Sequence, residues 1–317
     1  MSVKKEVVDR HRLFYTEFFK THARKTVVVD AGARGDLEEP WRWLDESLLS
    51  IIGFDPDTAE CERLNRLYPN RRYFPTALWS RDGTVDIRIT KDVSCSSAYP
   101  PNMNLIERYE KKHWETKIVQ KTESYPARTL DAVATEYGFA PDFLKLDTQG
   151  GEWDILTGAK RLLSESVFGV VAETWTTEMY AGAPTSERII ALMREHGFEL
   201  FGINVASACK YAVTPPLNRG KQQITGLDFL FFKDLRSSSF FRDPGRLLIC
   251  AAIAEIYGYP DYAVSLLAAG GGDAVLAEAR RSIVQNAQRP SGIGARILRK
   301  LRKLAGYATI EYPSLHP

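Results

Sequence analysis

The chain has 317 residues, of which 44% are hydrophobic and 26% charged, with 42 basic and 40 acidic side chains giving a formal net charge of +2. That size and make-up suit a globular protein of one large domain with an appendage, or two small domains, and the balanced charge excludes polyanion binding through a general positive excess. Cys61, Cys95, Cys209 and Cys250 form no C-x-x-C pair, which excludes zinc spacing and fits reduced thiols better than a disulfide framework.

Residues 1–24 are expected to form an N-terminal helical segment. Their start runs into Asp9, Arg10 and Arg12 rather than an apolar core, so it does not read as a signal peptide. From Lys25 onward, short β-branched runs alternate with helical stretches, the pattern of a doubly wound α/β sheet. Lys25–Asp30 reads as a buried parallel strand and Ile51–Asp55 as a second. A helix follows with Asp57 as N-cap and Glu60 three residues on, with Leu64, Leu67 and Tyr68 on one face, and Pro69 stops it.

Arg72–Trp79 is expected as the third strand and Thr84–Thr90 as an alternating strand after the Asp82-Gly83 turn. Residues 91–125 show little periodicity and read as a lid or binding insertion. Phe143–Asp147 and Val167–Glu173 read as further core strands. Between them lies a helix carrying Ile155, Leu156, Ala159, Leu162 and Leu163 on one face. The helix Ser186–His196, closed by Gly197, precedes strands Phe198–Val205 and Leu227–Phe232, which have no helix between them and so pair as an antiparallel hairpin. Arg236-Ser-Ser-Ser marks a break. The domain from 25 to 235 is then followed by a helical extension, 236–317, interrupted at Gly270. Its most apolar run, Leu247–Ala254, is too short to span a bilayer, and a cytoplasmic protein is expected.

Two features at strand ends point to a nucleoside ligand. Asp30-Ala31-Gly32-Ala33-Arg34-Gly35 lets backbone approach a ligand closely, and Asp55 stands where a carboxylate accepts from both hydroxyls of a ribose. The dinucleotide fingerprint is missing, because Gly32 and Gly35 are three apart and position 37 is Leu, so a pyrophosphate is poorly cradled. S-adenosylmethionine has no phosphate and needs only the close approach and the acid. The terminal hairpin also fits a methyltransferase better than an oxidoreductase.

The run Phe143-Leu-Lys-Leu-Asp147-Thr-Gln-Gly150-Gly-Glu152, followed by a helix ending in Gly158-Ala159, resembles the hallmark of the FkbM family of methyltransferases. Further blocks resemble it in the same order: Val27–Ala33, Gly53-Phe-Asp55-Pro-Asp, Ala77-Leu-Trp-Ser-Arg-Asp-Gly83, Cys95–Asn102, Thr129-Leu-Asp131 and Asp228-Phe-Leu-Phe. Arg34, Asp36 and Asp55 depart from the family's more usual residues. The resemblance implies a class I Rossmann-like fold and S-adenosylmethionine as cofactor. It places Asp30, Gly32, Ala33, Arg34 and Asp55 on the cofactor, with Ala77 and Leu78 near the adenine. Arg34 is a partner for the methionine carboxylate.

Methyl transfer needs an aligned acceptor and a group that takes its proton. Asp147 is the expected general base or acceptor-orienting group, Glu173 a second carboxylate, and Glu152 a third acid that alternatively serves its helix N-terminus. A divalent cation between Asp147 and Glu173 is the less favoured alternative. Lys145 is expected to face the other way. Tyr99, Trp114, Trp175 and Tyr180 either stack on an acceptor or pack the core, and His113 is either a lid residue or a solvated one.

On family grounds the acceptor is a sugar hydroxyl of a glycan or glycolipid, with a natural-product hydroxyl, a peptide amide or a non-catalytic scaffold as alternatives. Nucleic acid is not expected as acceptor, since Asp147-Thr-Gln-Gly stands where amine methylases of bases carry an N-P-P-[YF] tetrad. The basic segment Arg296–Leu304 is amphipathic. It docks on protein or, less favourably, touches an anionic membrane surface.

Overall fold

Val28 and Val29 point to opposite faces of one strand and are both buried, as a strand at the centre of a parallel sheet requires. The computed structural model describes residues 12–288 apart from 216, 218, 219 and 238, and the basic segment 296–304 therefore lies outside the described residues. The chain divides into two units. One comprises residues 25–37 and 46–240; the other comprises residues up to 24, 38–45 and those from 241 on.

In chain order the strands are β1 Thr26–Ala31, β2 Leu49–Asp55, β3 Arg72–Pro75, β4 Ala77–Leu78, β5 Gly83–Thr90, β6 Val119–Arg128, β7 Phe143–Leu146, β8 Gly169–Trp175, β9 Phe198–Cys209 and β10 Gln223–Lys233. A seven-stranded sheet runs β3-β2-β1-β7-β8-β10-β9. Its first five strands are parallel, and β10 lies antiparallel between β8 and β9. This is a doubly wound Rossmann-like order, with the switch point between β1 and β7 and a hairpin at the end. On one face Val29, Ile52, Leu144, Val170 and Phe229 pack against Leu130, Val133, Ile155, Ile189 and Met193 from helices. The opposite face carries the alternate residues of the same strands, among them Asp30, Asp55, Lys145 and Glu173.

The structure departs from the sequence reading in several places. Arg72–Trp79 is not one strand: it breaks at Thr76, and β4 leaves the main sheet to join a three-stranded sheet ordered β4-β6-β5. The stretch 91–125 is not wholly irregular, because β6 begins at Val119 and pairs antiparallel with β5. The mostly exposed, polar residues of β6 gave no alternating signal, and backbone pairing with β5 orders most of its length, with only Tyr125 and Ala127 packing near its end. The helix after Gly151 is two pieces, Glu152–Thr157 and Lys160–Glu165. The break falls at Gly158, where an added Cβ would stand 2.3 Å from the Trp79 carbonyl oxygen. The helix Leu130–Tyr137, capped by Thr129 and stopped by Gly138 in the left-handed region, went unread. The cap at Asp57 is as expected, accepting from the amides of Ala59 and Glu60, though Leu67 is exposed while Leu64 is buried.

In the second unit, helices Pro244–Ile256, Pro260–Ala269 and Ala274–Gln288 pack in succession. Leu247 to Ile256 are all buried. The Trp41 indole donates to the Tyr257 hydroxyl at 2.9 Å, and the Leu13 amide donates to buried Glu255 at 2.8 Å. Among the described residues no helix is long and apolar enough to cross a membrane.

Gly32 carries a local demand of the main sheet. Its φ is +83°, and a Cβ there would lie 2.0 Å from the Asp147 carbonyl oxygen. Gly32→Ala is expected to lower unfolding stability by at least about 2 kcal/mol, from left-handed backbone strain together with this clash. Urea denaturation checks it, and an unchanged midpoint would mean that the β1 and β7 tips can part freely.

Candidate active site

The tips of β1, β2 and β7 are stitched together by backbone. The amides of Gly32 and Ala33 both donate to the Phe54 carbonyl, at 2.9 and 3.0 Å, and the Asp147 amide donates to the Ala31 carbonyl at 3.0 Å. Asp30 and Lys145 are register partners across β1 and β7, and the Lys145 ammonium lies 3.3 Å from the Asp30 carboxylate. It also lies 3.6 Å from Asp147. Lys145 therefore does not face away from Asp147. Residues two apart on a strand share a face, and the ammonium belongs to the site.

Asp147 and Glu173 stand side by side beyond β7 and within β8. A single amide nitrogen, Nε2 of Gln149, donates to both, at 3.0 Å to Asp147 and 2.5 Å to Glu173. Burial pushes Glu173 well above the ordinary carboxylate range, and the charge of Asp147 pushes it further. Burial also acts to raise Asp147, but the Lys145 ammonium and hydrogen bonds from Glu173 and Gln149 outweigh it and hold Asp147 below its usual value. The two carboxyls are thus pushed in opposite directions, Asp147 toward its ionised form and Glu173 toward its neutral one. Asp147 is enclosed by protein yet keeps 38% of its side chain open, so it is the member that an outside group can reach. The positive charge beside the pair is supplied by Lys145. Among the described residues no group of three or more His, Cys, Asp or Glu is arranged to hold a metal ion.

Gln149 is the residue that sequence reasoning missed. Among the described residues it is the one non-glycine with left-handed backbone, at φ +57°. Such a conformation costs about 1–3 kcal/mol and persists only where surrounding contacts over-determine it. Here the Ser97 hydroxyl donates to its carbonyl at 2.7 Å, and the Tyr180 hydroxyl lies 2.8 Å from its side-chain oxygen. The visible signal was the glycine pair after it, Gly150-Gly151, which marks a tight turn between strand and helix.

Glu152 is fully committed to that turn. One oxygen accepts from the Thr148 amide at 2.6 Å and its hydroxyl at 3.0 Å, and the other accepts from the Gly150 amide at 2.9 Å. Burial, followed at a distance by the charge of Asp147, pushes its carboxyl up to about 7 despite these bonds.

On the cofactor side, Asp55 is buried. Its Oδ1 accepts from the Arg34 guanidinium at 3.0 Å and the Asp57 amide at 2.8 Å, and no hydrogen bond falls on Oδ2. Burial raises Asp55, an effect that Arg34 only partly opposes. Arg34 also reaches Asp57 at 3.2 Å. Its guanidinium thus sits on the ribose-type acid rather than waiting for a methionine carboxylate as expected. Ala77 and Leu78 are buried, Leu78 against the main core.

The aromatic residues divide. Trp175 and Tyr180 are buried together, with Ile106 and Met179, under the insertion. The Tyr99 hydroxyl donates to Asp154 at 2.7 Å and the Trp114 indole to the Tyr109 carbonyl at 3.1 Å. His113 is no free lid residue, because its Nε2 accepts from the Lys210 amide at 3.3 Å.

A parallel sheet with a glycine turn after β1, an acid closing β2 and a carboxyl pair at the tips of the next two strands defines a Rossmann-like, S-adenosylmethionine-dependent methyltransferase. The sequence matches the methyltransferase FkbM domain over residues 35–200, just over half of its length. The chain belongs to that family. No curated protein matches it in sequence.

Among solved structures, an FkbM methyltransferase from Methylobacillus flagellatus KT is similar at 15% identity and a TM-score of 0.34, over 69% of this chain and 48% of that one. Magnesium protoporphyrin IX methyltransferase from Synechocystis PCC 6803 is similar at 12% identity and a TM-score of 0.34, over 73% and 80%. A TehB-like methyltransferase from Corynebacterium glutamicum is similar at 14% identity and a TM-score of 0.30, over 68% and 85%.

Two outcomes follow from this geometry. Asp55→Ala removes the acid expected to meet a ribose and is expected to weaken S-adenosylhomocysteine binding about 10–100-fold by titration calorimetry; unchanged affinity would move the cofactor elsewhere. Glu152 binds its proton more tightly in the folded chain than when unfolded. Its contribution to stability is therefore complete below about pH 4.5 and is lost as pH rises through about 7. Glu152→Gln should flatten that slope in urea midpoints taken across this range.

Proposed function

We propose that this methyltransferase transfers the methyl group to a hydroxyl oxygen, most simply of a sugar in a glycan or glycolipid, with Asp147 as general base. The observation that carries the reading is the Asp147–Glu173 pair bridged by the Gln149 amide, with the Lys145 ammonium 3.6 Å from Asp147 and 38% of the Asp147 side chain open.

S-adenosylmethionine supplies an electrophilic methyl carbon on a sulfonium sulfur. The glycine turn at Gly32 and Ala33 admits it closely, and Asp55 offers its Oδ2 to the ribose once Arg34 shares or yields Oδ1. Ala77 and Leu78 wall the adenine side. Asp147 would hold an acceptor hydroxyl and take its proton as that oxygen accepts the methyl group of the bound donor. Lys145 and Gln149 favour the ionised form of Asp147 until then. Glu152 acts at one remove, by holding the turn that carries Gln149. Asp30 fixes Lys145.

A polyhydroxylated acceptor is supported by the polar row that continues from Glu173 along the sheet. Asp228 is its register partner on β10 and Asn204 the next on β9, and the Asn204 side-chain nitrogen is buried with no hydrogen-bond partner. A natural-product hydroxyl would use the same base; a peptide amide would need a stronger one than Asp147.

The direct test is incubation with methyl-labelled S-adenosylmethionine and host glycan extracts, read by mass spectrometry. One added methyl on a defined sugar hydroxyl is expected, and label found only on nitrogen would overturn the reading. Asp147→Asn should then lower kcat about 10²–10⁴-fold while S-adenosylhomocysteine affinity stays within about threefold. An unaffected rate would remove Asp147 from this role.

A further inference from the structure

The insertion before β6 sends one cation into the protein. Lys117 closes the short turn Glu115–Lys117 and is only 7% exposed. Its ammonium donates to the Tyr180 hydroxyl at 3.2 Å and lies 5.4 and 5.2 Å from the ring centres of Trp175 and Tyr180. It makes no ion pair among the described residues. Its charge is felt by the Asp92 carboxylate, but no acid among the described residues stands within ion-pair distance of it. A buried ammonium so placed is costly, and two ring faces return only part of that cost.

A second donor nearby is also unspent. Trp175 is 3% exposed and its indole nitrogen is buried with no hydrogen-bond partner. Trp175 lies two residues beyond Glu173 on β8 and so shares its face, and its ring stands against that of Tyr180 at 5.5 Å. Tyr180 in turn touches Gln149, whose amide holds both carboxyl groups. Both unspent donors therefore border the methyl-transfer centre on the side of the insertion, away from Asp55.

We propose that Lys117 and the Trp175 indole form an anion-binding subsite for the acceptor, which takes a carboxylate or phosphate group borne by the same molecule whose hydroxyl is methylated. This rests on the hydroxyl-acceptor reading above and narrows it to an acidic sugar. An anionic oxygen there accepts from the ammonium and the indole together. Lys117 also offsets the repulsion that ionised Asp147 exerts on an anionic acceptor. A neutral acceptor leaves both donors unpaired, and discrimination follows from that penalty.

The test uses the full chain saturated with S-adenosylhomocysteine and titrated with glucuronate, glucose 6-phosphate and methyl glucoside. At least one anion should bind tenfold or more tightly than the glucoside; glucuronate alone identifies a carboxylate site, glucose 6-phosphate alone a phosphate site. Lys117→Met should remove the preference with cofactor affinity unchanged, and Lys117→Arg should retain it. Trp175→Phe keeps the ring but not the N–H and should weaken the anion severalfold without affecting the glucoside, which serves if Lys117→Met does not fold. Equal binding of anion and glucoside, or a preference that survives both Lys117→Met and Trp175→Phe, overturns the subsite. Labelled transfer by the wild type to a neutral sugar hydroxyl as fast as to its acidic counterpart overturns the subsite alone. Absence of label on any hydroxyl overturns the acceptor reading, whatever the anions do.

Discussion

The structure turns on how several acids are kept together at one end of a sheet. Asp30, Asp147, Glu173 and Asp228 occupy neighbouring strands on the same face, and in a low-dielectric cleft four like charges would drive those strands apart. Two devices resolve the conflict. Lys145 places one ammonium between Asp30 and Asp147, and burial pushes Glu173 toward its neutral form. Both depend on strand register. A slip of one residue in β7 would turn Lys145 into the helix-covered core and bring Leu146 to the cleft. The bond from the Asp147 amide to the Ala31 carbonyl opposes such a slip at the point where it would matter.

What surrounds this charge pattern is a second layer of control from distant parts of the chain. Ser97 and Tyr180 come from the insertion and from the loop after β8, yet both end on Gln149. The small sheet of β4, β6 and β5 flanks the insertion. The turn that carries Gln149 is thus one that three segments must agree upon. The chemistry itself asks little of the protein beyond alignment and one proton acceptor.

Much of this was legible in the sequence, and the failures have physical causes. Apolar strands such as Thr26–Ala31 and Phe143–Leu146 announce themselves because both faces are buried. The Asp57 cap and the Gly197 stop are local chemistry and read equally well. β6 was hidden because its side chains are mostly exposed and its order comes from backbone bonds to a distant partner. At the site, the strand-end acids were legible as positions, but Lys145 was set aside by a slip in strand periodicity. Glu152 left two readings open, since nothing in a sequence distinguishes a carboxylate that reaches substrate from one that folds its own turn. Gln149 lay unseen inside the hallmark motif. Its importance arises from a side chain reaching residues 24 and 31 positions away, which no local pattern encodes.

Gln149 also sets a limit on how far this protein can be improved. Glycine would relax its left-handed backbone but abolish the amide that spans two acids. Asparagine tolerates that backbone better, yet falls one methylene short of the span. A search for more stable variants would therefore be drawn to this position and would lose the bridge between Asp147 and Glu173 there, because the strain is the means by which the amide is delivered.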